Sequence, residues 1–133
     1  LDHFKQVNDQ HSHVVGDEVL RAFAGMLTDE AGTDGRAVRL GGEEFLLILR
    51  APAGAAVRRC DRVRLRVAEH DWSALAPGLR VTVSIGVSVV RDDDDQEAVL
   101  YRADRLLYTA KHRGRNLVVG EDPAAGVVTA AER

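Results

Sequence analysis

The chain has 133 residues, a length that suits a single domain with a hydrophobic core of its own. Its 45% hydrophobic and 29% charged content is that of an ordinary globular protein, and its net charge of −3 argues against a surface for nucleic acid. The single cysteine, Cys60, excludes an intrachain disulfide and fits a reducing compartment, and no apolar run reaches the ~20 residues that would insert this domain in a membrane.

The chain opens on a short mixed segment, residues 1–5, which has the pattern of the end of an element, so we expect a strand upstream of it. A polar stretch follows up to His13, with several side chains that can contact a ligand. Apolar residues then recur at helical spacing and predict an amphipathic helix over roughly 13–30. They are Val15, Val19, Phe23, Met26 and Leu27.

A β-hairpin is predicted over residues 36–50, where two apolar runs flank Gly41-Gly42. Glycine reaches the positive φ angles that tight hairpin turns require. Beside this Gly-Gly turn stand Glu43 and Glu44, two adjacent carboxylates that repel each other. An oxygen-rich turn next to bare backbone could hold Mg²⁺ and the phosphates of a nucleotide, or it could be a solvated acidic turn.

A second helix is predicted over about 54–70. Its apolar stripe consists of Val57, Cys60, Val63 and Val67. Three arginines at intervals of four residues form a basic ridge on another face, which is typical of a solvated helix surface. They are Arg58, Arg62 and Arg66.

Residues 80–90 alternate strictly between apolar and small or polar side chains, which predicts a half-buried strand. Four aspartates at 92–95 precede a third helix predicted over about 95–113, where acidic groups cap free N–H groups and complement the helix dipole. Residues 116–119 predict a short last strand. From 121 to 133 the sequence is Ala/Gly-rich without a period, and we expect a C-terminal tail.

This order of elements predicts one α+β domain over residues 1–120. We expect a central, mostly antiparallel sheet with flanking helices, in a ferredoxin-like or polymerase-palm arrangement whose first strand is truncated. The chain has no glycine-rich strand-to-helix fingerprint, so neither a P-loop nor a Rossmann site is predicted. A zinc site at His11 and His13 lacks the support of a cysteine cluster or of a helical His-x-x-x-His pair.

Five separated motifs follow one another in order over residues 1–119. One of them is the hairpin segment Gly41-Gly42-Glu43-Glu44-Phe45. The others are Asp2-x-Phe4-Lys5-x-x-Asn8-Asp9, His13-x-x-Gly16-Asp17-x-x-Leu20, Val83-Ser84-Ile85-Gly86-Val87, and Ala103-Asp104 with Leu107-Tyr108-x-Ala110-Lys111 and Gly114-Arg115-Asn116. Together they resemble the motifs of GGDEF-domain diguanylate cyclases, and the hairpin segment is similar to the family's signature in its Glu-Glu form. The resemblance implies a palm-like fold related to the nucleotidyl cyclases, and the condensation of two GTP into cyclic di-GMP with release of two pyrophosphates.

The same resemblance implies the substrate-binding residues. Asn8 and Asp17 match the positions that recognise guanine, and the chemistry suits them because an amide and a carboxylate complement the edge of that base. His13 lies at a position often grouped with them, although a lone histidine is also a common packing or capping residue. The remaining substrate-binding positions implied are Gly41, Gly42, Lys111 and Arg115, of which the last two could instead complement a helix dipole.

Catalytic and metal-binding positions follow from the resemblance as well. Lys5 matches the lysine that neutralises charge on the reacting phosphates, and Glu43 matches the metal-binding acid that is also named as general base for the 3′-hydroxyl. Glu44 is a second metal or electrostatic contributor, and Leu1 offers its backbone carbonyl to the metal. The implied cofactor is Mg²⁺, two ions per site, with Mn²⁺ as a substitute.

One departure from the family pattern concerns the metal site. The family's first metal-binding aspartate lies one residue before Leu1, so catalytic competence depends on an aspartate expected there. Asp2 is the other acid of that strand, and we do not assume that it substitutes. A second departure concerns product inhibition: Gly32 and Gly35 stand where many relatives carry Arg-x-x-Asp, and Arg62 alone should bind cyclic di-GMP weakly.

The resemblance also implies the partners. Because each of two domains presents one GTP to the other, a homodimer is needed, and an upstream sensor or receiver domain is expected in a bacterial signalling protein. The domain would work in the cytoplasm, either in a soluble protein or as the cytoplasmic part of a membrane-anchored sensor. Two alternatives remain: a catalytically silent GGDEF domain that binds GTP or cyclic di-GMP as a regulatory module, and a cyclase of another purine nucleotide.

Overall fold

A computed structural model describes residues 1–122 and 126–129. It contains both helices and strands, in the order two helices, two strands, a helix, a strand, a helix and two strands, as expected of an α+β domain. The helices are α1 (Phe4–Gln10), α2 (His13–Ala31), α3 (Ala53–Glu69) and α4 (Gln96–His112), with a 3₁₀ turn at Trp72–Ala74. The strands are β1 (Arg36–Gly41), β2 (Glu44–Ile48), β3 (Ile85–Val87), β4 (Val118–Asp122) and β5 (Gly126–Thr129).

The described strands form two small sheets. β1 and β2 make the antiparallel hairpin that the sequence predicts, and the register places Gly41 opposite Glu44 after an irregularity. The turn therefore consists of Gly42 and Glu43, one residue later than the predicted Gly-Gly turn. In the other sheet β4 lies between β3, to which it is parallel, and β5, to which it is antiparallel. The strand pairing is thus antiparallel apart from β3–β4.

The main core lies between α1, α2, α3 and the segment from the 3₁₀ turn to residue 83. Phe23 of α2 meets Phe45 of β2 edge to face, with ring centroids 5.0 Å apart, so the hairpin packs on α2. Trp72 is almost fully buried and donates its indole N–H to the Val67 carbonyl at 2.7 Å. The predicted stripe of α3 is buried and confirmed: Val57, Cys60, Val63 and Val67.

The polar stretch that the sequence shows before His13 contains a helix, α1. It buries Phe4 and Val7, which lie three residues apart on one face. Two apolar residues in a short helix are too few to produce a clear period, and this is why the pattern predicted no element there.

Two strand predictions differ from the structure. Within residues 80–90, β3 covers 85–87, and Thr82 accepts a backbone hydrogen bond from Asp2 at 2.9 Å. Alternation of side chains predicts which face of a segment is buried, but it does not show whether a neighbouring strand is there to pair with. A strand forms only where the backbone hydrogen bonds to such a neighbour exist. Residues 121–122 and 126–129 of the expected tail belong to β4 and β5, because they pair with each other. Residues 123–125 and 130–133 of that tail lie outside the described residues.

Candidate active site

The hairpin turn presents its two carboxylates to solvent. Gly41 has φ 155° and Gly42 has φ 51°, the second in the left-handed region that favours glycine. The Nε–H of Arg39 donates to the Gly42 carbonyl at 3.0 Å and closes the turn. The side chains of Glu43 and Glu44 are exposed. The turn is thus held by its own backbone and Arg39, which leaves both carboxylates accessible to a ligand.

The first residue of the chain lies at this turn. The backbone nitrogen of Leu1 donates to the carbonyl of Glu43 at 3.3 Å. The charges of Asp2, Glu43, Glu44 and Lys111 lie close enough to this nitrogen to act on it. The fold therefore brings together the three metal-ligand candidates and one phosphate-binding candidate, which lie up to 110 positions apart in sequence.

The two guanine-recognition candidates lie beside each other where α1 packs on α2. A β-carbon built on Gly16 would meet Asn8 Oδ1 at 1.8 Å and the ring of Phe4 at 3.2 Å, so a side chain at residue 16 would displace the Asn8 amide from this position. Asn8 is half-buried against residue 16, and the neighbouring Asp17 is exposed. An amide and a carboxylate thus lie at one edge of this helix pair, as recognition of guanine would require.

Two other predicted residues lie on the same helices. Lys5 is exposed on α1, and His13 is the exposed first residue of α2. Capping of α2 is performed by Ser12, whose hydroxyl accepts from the Val15 N–H at 3.1 Å. The alternative role of His13 as the cap is therefore taken by its neighbour.

A cavity of about 470 Å³ lies between α2 and the hairpin. Such a volume is within the range of small-molecule sites, roughly 300–1,000 Å³. Asp17 lines it, whereas Asn8 and Lys5 lie outside its lining. The lining residues are Asp17, Leu20, Arg21, Ala24, Thr28, Ala37, Arg39 and Phe45.

The end of α4 carries the other phosphate-binding candidates. Lys111 and Arg115 are exposed, and the Arg115 N–H donates to the Ala110 carbonyl at 3.0 Å. Arg115 has φ 64° and Asn116 has φ 49°, two consecutive non-glycine residues in the left-handed region. Such backbone costs energy and persists only where the surroundings hold it, often at functional sites.

The donors at the turn fit Mg²⁺ by their chemistry. Glu43, Glu44 and the Leu1 carbonyl are hard oxygen ligands, and Mg²⁺ is usually held by one or two carboxylates together with substrate phosphates. Among the described residues no three His, Cys, Asp or Glu side chains converge into a ready-made metal site. The arrangement thus suits an ion whose coordination the substrate completes.

For two residues at this site the contacts were not predicted from the sequence: Asp2, named only as an acid of the first strand, and Arg39, which was given no role at the site. Asp2 is 6% exposed and its carboxylate accepts hydrogen bonds from three groups of two distant segments. Arg39 supports the turn and lines the cavity. An arginine three residues before the turn glycine was a visible signal, whereas the contacts of Asp2 span at least 80 positions and leave no local pattern.

The structure also describes Gly32, Gly35 and Arg62, the surface at which we expect no strong binding of the product cyclic di-GMP. A β-carbon at Gly35 would meet the Ile48 carbonyl oxygen at 2.5 Å, so an aspartate could not occupy that position without a backbone shift. Arg62, the remaining match, donates to Glu30 at 2.6 Å. Weak binding of cyclic di-GMP here stays a prediction.

The family model of "Diguanylate cyclase, GGDEF domain" matches residues 1–117. The chain belongs to the GGDEF domain family. Response regulator PleD of Caulobacter vibrioides is 44% identical over 126 residues, which are 91% of this chain and 28% of that protein. This GGDEF chain thus spans about a quarter of that curated relative.

Solved GGDEF domains share the fold. The GGDEF domain of DgcB from Caulobacter crescentus, in complex with c-di-GMP, superposes with a TM-score of 0.82 at 33% identity, over 90% of this chain and 72% of that one. The active GGEEF domain of a diguanylate cyclase from Vibrio cholerae gives a TM-score of 0.80 at 32% identity, over 90% of this chain and 76% of that one. The predicted α+β GGDEF fold is confirmed. In the described part of the chain, no helix has the length and apolar character to span a membrane.

Proposed function

We propose that this domain is a diguanylate cyclase, which condenses two GTP into cyclic di-GMP and two pyrophosphates. The observation that carries the proposal is the turn, which exposes Glu43 and Glu44 next to Leu1, with the charge of Lys111 close enough to act there. Relatives at 34–44% identity support it, since several of them are diguanylate cyclases.

In this proposal each copy of the domain holds one GTP. Asn8 and Asp17 recognise guanine, with His13 beside them, and the glycines Gly41 and Gly42 let the phosphates approach the backbone of the turn. The basic side chains that bind the phosphates are Lys5, Lys111 and Arg115. Their exposure in this structure leaves them accessible to an anionic ligand.

The reaction requires two copies facing each other, since one GTP cannot close the ring. The 3′-hydroxyl oxygen of each GTP forms a bond to the α-phosphorus of the other, the bond from that phosphorus to the β-phosphate oxygen breaks, and pyrophosphate leaves. Glu43 accepts the proton of the attacking hydroxyl and later releases it to solvent. Lys5 stabilises the negative charge that builds on the phosphate oxygens.

Mg²⁺, or Mn²⁺ in its place, would be held by Glu43, Glu44 and the Leu1 carbonyl together with the substrate phosphates, two ions per site. When bound it would neutralise charge on the phosphates and lower the pKa of the attacking hydroxyl. An aspartate directly before Leu1 would complete the ligand set.

We place the domain in the cytoplasm of a bacterium, where GTP is available, as the output part of a longer signalling protein with an upstream sensor or receiver domain. The relative PleD is a response regulator, and this chain matches 28% of it. An activator acts on another relative of known structure, diguanylate cyclase SiaD of Pseudomonas aeruginosa, which is 36% identical. Partners of this kind would control how two copies meet.

The decisive experiment is product identification with the protein that contains this domain. Incubation with GTP and Mg²⁺ should yield cyclic di-GMP and two pyrophosphates per product, and the Glu43→Gln variant should yield none. Binding of GTP without product would instead identify a silent regulatory module. Consumption of ATP in preference to GTP would identify a cyclase of another purine nucleotide.

A further inference from the structure

The buried carboxylate of Asp2 lies between the hairpin turn that carries Glu43 and the loop after α4 that carries Arg115. Asp2 Oδ1 accepts from the Ser84 hydroxyl at 2.7 Å, and Oδ2 accepts from the Thr82 hydroxyl at 2.7 Å and from the Asn116 backbone N–H at 3.1 Å. The backbone N–H of Asp2 itself donates to the Thr82 carbonyl at 2.9 Å. Both oxygens of this carboxylate are therefore used by donors of the protein.

Asp2 lies between two parts of the candidate site. Its neighbour Leu1 lies on the Glu43 carbonyl at the hairpin turn. Asn116 follows Arg115 in the loop after α4, residues 113–117. Asp2 thus follows Leu1, a candidate metal ligand, and is hydrogen-bonded to Asn116, which follows Arg115, a candidate phosphate-binding residue.

The loop after α4 is held from a second direction. Arg64 of α3 donates from Nη1 to Asn116 Oδ1 at 3.2 Å, and from Nε to Asp61 Oδ1 at 2.7 Å. Arg64 is 9% exposed and Asp61 is fully buried. A continuous set of buried and partly buried polar contacts therefore runs from α3 through the Asn116 amide and backbone to Asp2, and it holds the loop in its left-handed conformation.

We propose that Asp2 is a positioning residue. It fixes the distance between the loop that carries Arg115 and the turn that carries Glu43, so that one triphosphate can contact both residues. The proposal rests on the proposed function in one respect, namely that Arg115 binds phosphate. It assigns Asp2 no contact with substrate or metal, because its oxygens already serve Ser84, Thr82 and Asn116.

The test uses 3′-deoxy-GTP, which binds but lacks the hydroxyl needed for turnover, and guanosine, which lacks the phosphates. Calorimetry on the full protein with Mg²⁺ should show that Asp2→Ala binds 3′-deoxy-GTP more weakly by roughly 10-fold, the lower end of effects seen for orienting partners. Guanosine affinity should not change. The loss should disappear in an Arg115→Ala background, because positioning has no effect once the positioned group is gone.

Three variants separate positioning from general destabilisation. Asp2→Asn keeps an acceptor for the Asn116 N–H and should restore the affinity for 3′-deoxy-GTP. Thr82→Val removes one donor to Asp2 without cutting its link to the loop, so it should lower the melting temperature and leave that affinity unchanged. Asn116→Gly keeps the positive φ but removes the side-chain amide that accepts from Arg64, which weakens the hold on the loop, and it should reproduce the selective loss even where Asp2→Ala does not fold.

Several results would overturn the proposal. They are equal losses for guanosine and 3′-deoxy-GTP, a loss from Asp2→Ala that adds fully to that of Arg115→Ala, or unchanged affinity in both Asp2→Ala and Asn116→Gly. Failure of the wild-type protein to bind 3′-deoxy-GTP would instead contradict the proposed function, so the two ideas fail in different ways.

Discussion

Two charged regions of this domain differ in what their charges contact. On the face between α2 and α3, Glu30 accepts from Arg59 and Arg62, and Asp29 pairs with Arg66 at 2.9 Å. Burial acts to raise the pKa of Glu30, but hydrogen bonds from Arg62 and Arg59 outweigh it and hold the pKa below its usual value. These charges stabilise the packing of one helix on another.

At the hairpin turn and the end of α4 the charges are exposed instead. Within residues 1–122 and 126–129, no ion pair engages Glu43, Glu44, Lys111 or Arg115. Acidic and basic side chains occur in the same region there, and all four are exposed to solvent. Charges kept accessible are what a ligand with both phosphates and a metal requires, and this difference separates the candidate binding region from the structural one.

The first prediction concerns the exposed region. Glu43→Gln should lower the rate of cyclic di-GMP formation on the order of 10²–10⁴-fold, since it removes the proposed base and a metal ligand. The melting temperature should stay unchanged because the side chain is exposed on a turn. Glu97→Gln makes the same change on the exposed first turn of α4 and is the control. Near-normal synthesis by Glu43→Gln would remove Glu43 from the mechanism.

The second prediction concerns base recognition. Asp17→Ala should reduce the preference for GTP over ATP by about 1–3 kcal/mol, the worth of a good base contact, because guanine donors lose a charged acceptor. Calorimetry with each nucleotide measures this preference. Asp34→Ala, an exposed aspartate in the loop before β1, is the matched control. An unchanged preference would show that Asp17 does not recognise the base.

The candidate site was predictable where neighbours in sequence are neighbours in space. The hairpin and its carboxylates follow from alternation and from glycines at one turn, and α2 follows from its apolar period. Asn8 and Asp17 were named by resemblance, and Gly16 explains how the Asn8 amide can lie against the residue before Asp17. The cavity that Asp17 shares with the hairpin could not be predicted, since it depends on how β1 packs on α2.

The rest of the fold depends on contacts between distant segments. Alternation over 80–90 predicted a long strand, but the ladder that forms covers three residues, Ile85–Val87. The role of Asp2 depends on donors at Thr82, Ser84 and Asn116. A buried carboxylate has no sequence period, and only the folded chain shows which hydroxyls surround it.

The third prediction concerns the paired region. Glu30→Ala should lower the free energy of unfolding by about 1 kcal/mol, because it removes hydrogen bonds from two arginines, and it should leave cyclic di-GMP synthesis unchanged. Urea titration measures the stability. Asp29→Ala is the control: its pair with Arg66 has both side chains more than half exposed, so its loss should cost little. A loss of activity without a loss of stability would place Glu30 in function.

The last prediction concerns a charge pair away from both regions. Asp94 accepts from Arg102 at 2.8 Å and 2.6 Å and from the Arg91 N–H at 2.7 Å. The Arg102 hydrogen bonds are the main cause that lowers the pKa of Asp94 from 3.8 to about 2. Because the folded pKa is the lower one, this contribution to stability is complete above pH 3.8 and is lost as the pH falls toward about 2.

Melting temperatures measured from pH 6 to pH 2 should therefore show a gap between wild type and Asp94→Asn that is constant at the upper end and closes toward the lower end. Asp92→Asn, an exposed aspartate of the same loop, should show no gap at any pH. A gap between wild type and Asp94→Asn that persists at pH 2 would mean that Asp94 stabilises the fold through the hydrogen-bond geometry of its carboxyl group and not through its charge. Arg102 would then hold the loop through its hydrogen bonds to Glu121 and the Val89 carbonyl alone.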